Sequence, residues 1–429
     1  MESTPFFFQQ RHSSCSSTTA QPPAVLHRSE VRTTAEPLGS GGFSDVYAVT
    51  AIVLDDTISR RCTPVQQEQR RRLVEQQHVD GKHGLQAQYA IKQLRAELLQ
   101  QSATAAKDFQ QAACDLVMES QYLERLQEHP NVIRLCAVPV DGVDAWSSGD
   151  HDGYFLLLER LDCTLADRIR SWKQQSEPVP TQNEQLEYVS AIAKALRHLH
   201  QHRIVYRDLK PQNVGITSTG RVALFDFGLC RQIPHEKESM DGLYEMSGVG
   251  TRRYMAPEVL RNGRYNLQAD VYSLSMVAWE LLSGCRPYLR YGLEEHRQVV
   301  CFGHERPKLL PGWSDWLRGF FQWSWHADPS ARWDMDMVVA KLEAHLQPAP
   351  PSPVSVATPA LSIIRSKSLH MPVLDLDLLE SMDRDEDDDD DATARSQPLL
   401  LYKDNAKRRC EVSMVTVAPP AELIVRAAS

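Results

Sequence analysis

The chain has 429 residues, 42% of them hydrophobic, enough for one large or two moderate domains with a sizeable core. Its net charge of −9 is concentrated: residues 375–391 hold eleven acidic side chains against the single Arg384, and the remainder is nearly neutral. That balance lacks the basic footprint of a nucleic-acid binder, no apolar run approaches the ~18 residues of a membrane span, and the nine cysteines, with no C-x-x-C pair, read as reduced thiols.

In chain order, residues 1–31 are rich in Ser, Thr, Gln and Pro and predict a disordered tail without the apolar core of a secretory signal. A globular pattern follows over 32–346. Val46, Tyr47, Val49, Ile52 and Val53 predict a strand pair after a run of glycines, and 55–86 reads as a Gln/Arg-rich, partly helical insertion. Tyr89-Ala90-Ile91 resumes as a short strand, 107–128 as a helix, and 154–158 as a buried strand. Leu186, Val189, Ile192, Ala193, Leu196 and Leu199 mark one face of a helix, ahead of two short strands at Val214–Ile216 and Val222–Leu224. Helices with loops run from Asp270 to Leu346. Residues 347–429 are Pro-rich and then acidic and predict a largely disordered tail. Strands first and helices later imply an α+β protein: a small sheet-rich part joined to a larger helical one, with a cleft between them.

The densest chemistry lies at Tyr206-Arg207-Asp208-Leu209-Lys210-Pro211-Gln212-Asn213, followed eighteen residues after Asp208 by Asp226-Phe227-Gly228. Phosphoryl transfer asks a protein for positioning and charge compensation more than for covalent chemistry. Asp208 suits a base that orients an incoming hydroxyl, Asp226 and Asn213 supply the hard oxygen donors that Mg²⁺ prefers, and Lys210 can offset charge on the γ-phosphate. Singly, Asp-Leu-Lys-Pro is a helix exit and Asp-Phe-Gly a turn; the pairing at this spacing is what carries the reading.

These segments resemble the eukaryotic protein kinase family over roughly residues 32–345. The resemblance implies a bilobal α+β fold: a small antiparallel sheet lobe with one main helix over about 32–158, a helical lobe over about 162–346, and ATP with Mg²⁺ in the cleft. Leu38-Gly39-Ser40-Gly41-Gly42-Phe43-Ser44-Asp45-Val46 resembles the glycine-rich phosphate loop, with Ser44 in place of its third glycine. Ala90-Ile91-Lys92 matches the strand whose lysine holds the α- and β-phosphates. Its partner is read as Glu119, which shares a helix face with Leu123 and Leu126, while Glu97 and Glu124 read as solvated. The family pattern further makes Leu158 the gatekeeper, Glu159 to Leu161 the adenine-reading hinge, and Val46 and Ala90 the adenine-facing apolar contacts. It stacks Leu123, Leu135, Tyr206 and Phe227 as a spine; Tyr206 departs from the usual histidine, so its hydroxyl needs a new partner. Glu258 is expected to pair with Arg332, and Asp270 to anchor the catalytic loop.

Lys210-Pro211 and Thr251 resemble the Ser/Thr branch, implying a non-specific serine/threonine protein kinase acting on protein substrates. Trp279-Glu280 and Tyr254-Met255 look tyrosine-kinase-like, leaving dual specificity open, and the motif combination resembles kinases of protists such as diatoms. Arg207 before the catalytic aspartate suggests activation by phosphorylation within 226–258, at Ser247, with Ser239 and Tyr244 as rivals. The acidic block 375–391 reads either as a solvated tail or as a dock for a basic partner or the enzyme's own cleft. The expected location is cytoplasmic or nuclear. The competing readings are a pseudokinase scaffold, whose usual mark is loss of Lys92, Asp208 or Asp226, and a small-molecule kinase of similar fold. The intact lysine and aspartates oppose the first, and the complete segment ending Ala256-Pro257-Glu258 opposes the second.

Overall fold

The computed structural model describes residues 22–347 apart from 82–83, 100–104, 127–128, 149–150, 235–241 and 262. The expected C-terminal tail from 348 onward, including the acidic block 375–391, lies outside the described residues, as does the N-terminal tail through Gln21.

The small lobe begins with β1 (Ala24–Leu26), β2 (Val31–Ser40) and β3 (Ser44–Ile52). The helices α1 (Asp56–Arg61) and α2 (Pro64–Glu75) follow, then a hairpin of β4 (His78–Gly81) and β5 (Gly84–Ala87). The lobe is completed by β6 (Tyr89–Leu94), α3 (Ala105–Leu126), β7 (Leu135–Pro139) and β8 (Phe155–Glu159). Six strands pair in the order β1-β7-β8-β6-β3-β2, all antiparallel except β1 on β7. Two expectations are corrected here. Residues 24–31 are not tail: Ala24 to Leu26 pair with Ala137 to Pro139, because three small apolar residues suffice to extend an edge whose N–H and C=O groups would otherwise stay unpaired. The strand pair also straddles the glycines rather than following them, since Gly41 to Phe43 form the turn between β2 and β3.

Side chains alternate across a strand, and here both faces are covered. Leu156 and Leu158 enter the core shared with α3, whereas Phe155 and Leu157 enter a second core with Ala24, Leu26, Tyr89, Ile91 and Leu73. That second core exists because 55–86 folds into α1 and α2 and lies over the outer face. Asp55 caps α1 by accepting from the N–H groups of Thr57 and Ile58. Thr63, Pro64 and Gln66 form a capping box with proline at the first helical position of α2. Arg70 and Glu30, both fully buried, tie α2 to the start of β2 at 2.5 Å, and Glu30 also accepts from Asp55 N–H at 2.8 Å.

The large lobe contains β9 (Cys163–Thr164), α4 (Leu165–Lys173), α5 (Gln182–Gln201), β10 (Ile204–Val205), β11 (Val214–Ile216), β12 (Val222–Leu224) and β13 (Arg231–Gln232). It ends with α6 (Pro257–Leu260), α7 (Gln268–Ser283), α8 (Leu293–Arg297), α9 (Asp315–Ser324) and α10 (Met335–Leu346). The predicted apolar face of α5 is fully buried, packed on α7 and α10. α7 is buried on every side from Ala269 to Leu281, which makes it the axis of this lobe. The antiparallel pair β11–β12 matches Val214 with Leu224, so Asn213 and Phe225–Asp226 emerge side by side at one end.

Candidate active site

Between β10 and β11 the chain turns through Tyr206 to Asn213 around one buried carboxylate. Asp270 of α7 accepts from the N–H of Tyr206 at 2.8 Å and of Arg207 at 2.9 Å, and His200 Nε2 lies 2.9 Å from it. Those bonds hold Arg207 at φ +75°, a region L-residues rarely occupy. Asp208 is thereby presented with both carboxylate oxygens engaged. Thr251 Oγ1 donates to Oδ1 at 2.8 Å, Asn213 Nδ2 donates to Oδ2 at 3.0 Å, and Lys210 Nζ lies 3.5 Å from Oδ2. Gly250, next to Thr251, has φ +121°, and a Cβ there would stand 2.4 Å from the Arg207 carbonyl oxygen, so only glycine lets the two segments meet.

On the opposite side of the cleft, β6 projects Lys92 inward. Its Nζ lies 2.7 Å from Glu119 Oε2 on α3 and 3.0 Å from Asp226 Oδ1. Burial alone would pull the Lys92 pKa down, but the carboxylates of Asp226 and Glu119 outweigh it and hold the group protonated. Phe227 N–H also donates to Glu119 at 3.3 Å, so one glutamate touches both the lysine and the Asp-Phe-Gly turn. Glu97 and Glu124 are exposed.

Leu123, Leu135, Tyr206 and Phe227 are all buried, and the Tyr206 and Phe227 rings meet edge to face at 5.6 Å. The Tyr206 hydroxyl finds its partner in the Phe225 carbonyl, one residue before Asp226. Burial pushes its pKa far up, so it stays a neutral donor.

In the glycine-rich turn, Gly39 pairs with Val46 and Ser40 with Asp45, Gly41 N–H donates to Ser44 O at 2.8 Å, and Leu38 stands half exposed at the rim. Arg95 Nη1 holds the Gly41 carbonyl at 3.2 Å, tying the turn to the end of β6. Ser44, at the family's third-glycine position, is the first residue of β3 and pairs with Leu94. Ala90 and Leu158 are buried opposite one another in register, with Val46 half-buried beside them. In the expected hinge segment, Glu159 and Arg160 direct their N–H groups to Arg134 O at 3.0 Å and Gln88 O at 2.8 Å. The Leu161 side chain rests on Gly215, where a Cβ would clash at 2.2 Å.

Arg221, the residue before β12, gave no signal in the sequence, yet it bonds Glu159 Oε2 at 2.5 Å and the Pro130 carbonyl, joining the end of β8 to the turn that follows α3. His200 was likewise missed: a histidine late in an amphipathic helix carries no motif. Both need the folded chain to be seen.

Glu258 and Arg332 form a two-pronged pair at 2.8 and 3.2 Å. Ser247 is exposed, and its carbonyl accepts from the Tyr265 hydroxyl at 2.7 Å; the same hydroxyl lies 3.4 Å from Arg207 Nη1. Tyr244 is buried with its hydroxyl held by Arg203, and Ser239 lies outside the described residues. Glu280 on α7, also buried, accepts from the Tyr254 hydroxyl at 2.7 Å, and burial pushes its pKa up to about 7.

No group of three or more His, Cys, Asp or Glu side chains that could hold a metal occurs among the described residues. Asn213 and Asp226 supply one amide oxygen and one carboxylate. That set fits a Mg²⁺ ion, which usually takes the rest of its shell from phosphates and water.

A two-lobed fold with a lysine–glutamate pair above, an aspartate-bearing loop below and a segment locked by a glutamate–arginine pair defines the protein kinase class. The family model described as "Protein kinase domain" matches residues 79–342, more than half of the chain, and the chain belongs to that family. The match begins within the insertion, so β1, α1, α2 and the glycine-rich turn precede it. The chain is 34% identical over 191 residues to "Putative ribosomal protein S6 kinase alpha-2" of Caenorhabditis elegans, covering 42% of this chain and 23% of that protein. It is 30% identical over 180 residues to "Putative serine/threonine-protein kinase B" of Trypanosoma brucei brucei, covering 42% and 39%. It is also 29% identical over 215 residues to "Mitogen-activated protein kinase kinase kinase 4" of Homo sapiens, covering 48% and 12%. The chain thus spans well under half the length of each of these relatives. No helix among the described residues is long and apolar enough to cross a membrane.

Proposed function

We propose that the chain is an active serine/threonine protein kinase that transfers the γ-phosphoryl group of ATP to hydroxyls of protein substrates. One observation carries the reading: an unbroken path of contacts links Glu119, Lys92 and Asp226, then through Phe225 and Asn213 reaches Asp208 and Thr251. A scaffold has no need to keep that whole path. Asp208, oriented by Asn213 and Thr251, accepts the proton of the incoming hydroxyl, while Lys210 beside it offsets charge on the transferring group. Lys92, kept cationic by its two carboxylates, holds the α- and β-phosphates, and the backbone of Gly39 to Gly42 approaches them from above. Asn213 and Asp226 would hold Mg²⁺, which when bound neutralises charge on the phosphates. Adenine lies against Val46, Ala90 and Leu158, with Leu38 over its edge and the Glu159–Leu161 backbone reading its rim.

The Thr251–Asp208 bond supports Ser/Thr over Tyr, since a threonine bonded to the catalytic aspartate is the pattern that resembles the Ser/Thr branch. Ser247 is the activation site in this reading: it is exposed, its backbone carbonyl meets the Tyr265 hydroxyl that also bonds Arg207, and a phosphate of about −2 charge on its side chain would seek such a guanidinium. Seven described cysteines are free thiols, which suits the reducing cytoplasm.

The test is Mg-ATP turnover on a protein mixture with phosphoamino-acid analysis, comparing wild type with Asp208→Asn. Wild type should turn over at about 1–100 per second and the variant about 10²–10⁴-fold slower, with label on Ser and Thr. Equal turnover by both proteins would overturn the reading.

A further inference from the structure

A cavity of roughly 250 Å³ opens on the outer face of the small lobe, away from the phosphate-transfer residues. Its walls come from β1, α2, β6 and β7, so half of it is built by elements that precede the span matched by the kinase family model. Pro23 and Leu73 give it an apolar side; Arg72, Gln76, Tyr89 and Arg134 give it a polar one. Arg134 is exposed, with Cys136 and the Glu159 carboxylate favouring its charged form, while Arg72 is half exposed and shares Glu68 at 3.1 Å. Burial pushes the Tyr89 phenol up to about 12, so it is a neutral donor beside the two guanidinium groups. Two cations and neutral donors beside an apolar wall form a receptor for a small anion with an apolar body, and guanidinium groups are the side chains that best match carboxylate and phosphate oxygens.

The cavity also stands back to back with the nucleotide face. Tyr89 lines it, while Ala90, the next residue on the same strand, points to the adenine side. Tyr89 is in register with Glu159, and Arg134 is bonded to the same hinge residue twice, N–H to Oε1 at 2.9 Å and carbonyl to N–H at 3.0 Å.

We propose that this cavity is a regulatory site for a small organic anion, a carboxylate or phosphate monoester with an apolar body, whose binding tightens nucleotide binding through Tyr89, Arg134 and Glu159. An anion bridging Arg72 of α2 and Arg134, the residue before β7, gains both contacts only when helix and strand hold the arrangement seen here. It therefore favours the state in which Glu159 is fixed against Arg134, and that preference is reciprocal with the nucleotide's.

The experiment titrates phenyl phosphate and benzoate separately into the full chain by calorimetry, then measures ATP binding at saturating probe. Both readouts are independent of phosphotransfer, so failure here is distinguishable from failure of the catalytic reading. Saturable binding is expected, at least about tenfold weaker in Arg72→Gln/Arg134→Gln, which loses two charge-assisted contacts. Gln76→Trp, which fills the mouth of the cavity, should weaken it similarly. Tighter phenyl phosphate marks a phosphate site and tighter benzoate a carboxylate site. ATP should bind about fivefold or more tightly with the probe present. Absence of saturable binding by both probes, or equal binding by wild type and the double variant, overturns the site. Unchanged or weakened ATP affinity at saturating probe overturns the coupling.

Discussion

Two buried ion pairs stand on opposite faces of one sheet. Lys92–Glu119, at 2.7 Å, opens toward the cleft: the lysine side chain is 13% exposed and its second carboxylate, Asp226, 28%. Arg70–Glu30, at 2.5 Å, is sealed, with exposures of 0% and 1%, and every further bond of the pair goes to backbone or to the Ser59 hydroxyl. A cation open to the cleft can, in the function proposed, exchange one partner for a phosphate and so serve chemistry. A cation that cannot reach a ligand serves architecture, here fastening α2 and the start of β2 over the outer face. The same interaction type thus has two meanings, decided by access and not by strength.

Removing the sealed cation is expected to have the largest effect. Arg70→Met leaves Glu30 buried without its counter-ion, which should cost about 3–5 kcal/mol of stability by denaturant unfolding. Adding Glu30→Gln should restore most of it, and the double variant should keep its phosphotransfer rate. A double variant that unfolds normally yet has lost activity would break the comparison, showing that the outer pair also serves the cleft. Lys92→Met should do the reverse, lowering phosphotransfer about 10²–10³-fold while moving the unfolding midpoint less than Arg70→Met does.

A third buried charge sharpens the contrast by showing what burial does without a dedicated ion pair. Glu280 has a folded-state pKa of about 7 against an ordinary 4.5, raised by burial and only partly offset by the Tyr254 hydroxyl and the nearby Arg286, Lys173 and Arg253. Its folded form binds the proton more tightly than its unfolded form does, so its contribution is most favourable at low pH. It is lost as pH climbs from 4.5 to about 7. At about 1.36 kcal/mol per pKa unit this is about 3 kcal/mol, and Glu280→Gln should flatten that slope in unfolding midpoints taken between about pH 5 and 8. Parallel slopes in the two proteins would rule the assignment out. The smallest effect is expected from Tyr206→Phe, which keeps the ring against Phe227 and loses only the bond to the Phe225 carbonyl. That should cost about 0.5–1.5 kcal/mol of stability and leave phosphotransfer within about threefold. A much larger loss of rate would mean that the hydroxyl sets the position of Asp226.

What the amino-acid sequence determined by itself is the cleft side of this protein. Asp208, Asn213 and Asp226 stand at spacings that few other structures require, Lys92 follows from the resemblance of Ala90-Ile91-Lys92 to the kinase-family strand, and Glu119 from one face of an amphipathic helix. Short-range patterns survive in sequence because strand alternation, helical period and turn residues are local. The outer face was decided only by tertiary structure. Ala24 to Leu26 are too few to show a period and become a strand only because β7 offers an edge. α2 contributes mainly Leu73 and Val74 to the apolar core, and its Arg70 looks like any charge on a Gln/Arg-rich stretch until Glu30, forty residues earlier, is folded against it. Arg221 joins hinge to loop across 62 residues of chain for the same reason. A contact between residues far apart leaves no mark on the residues next to either one, and the burial that distinguishes a structural arginine from a solvated one exists only in three dimensions.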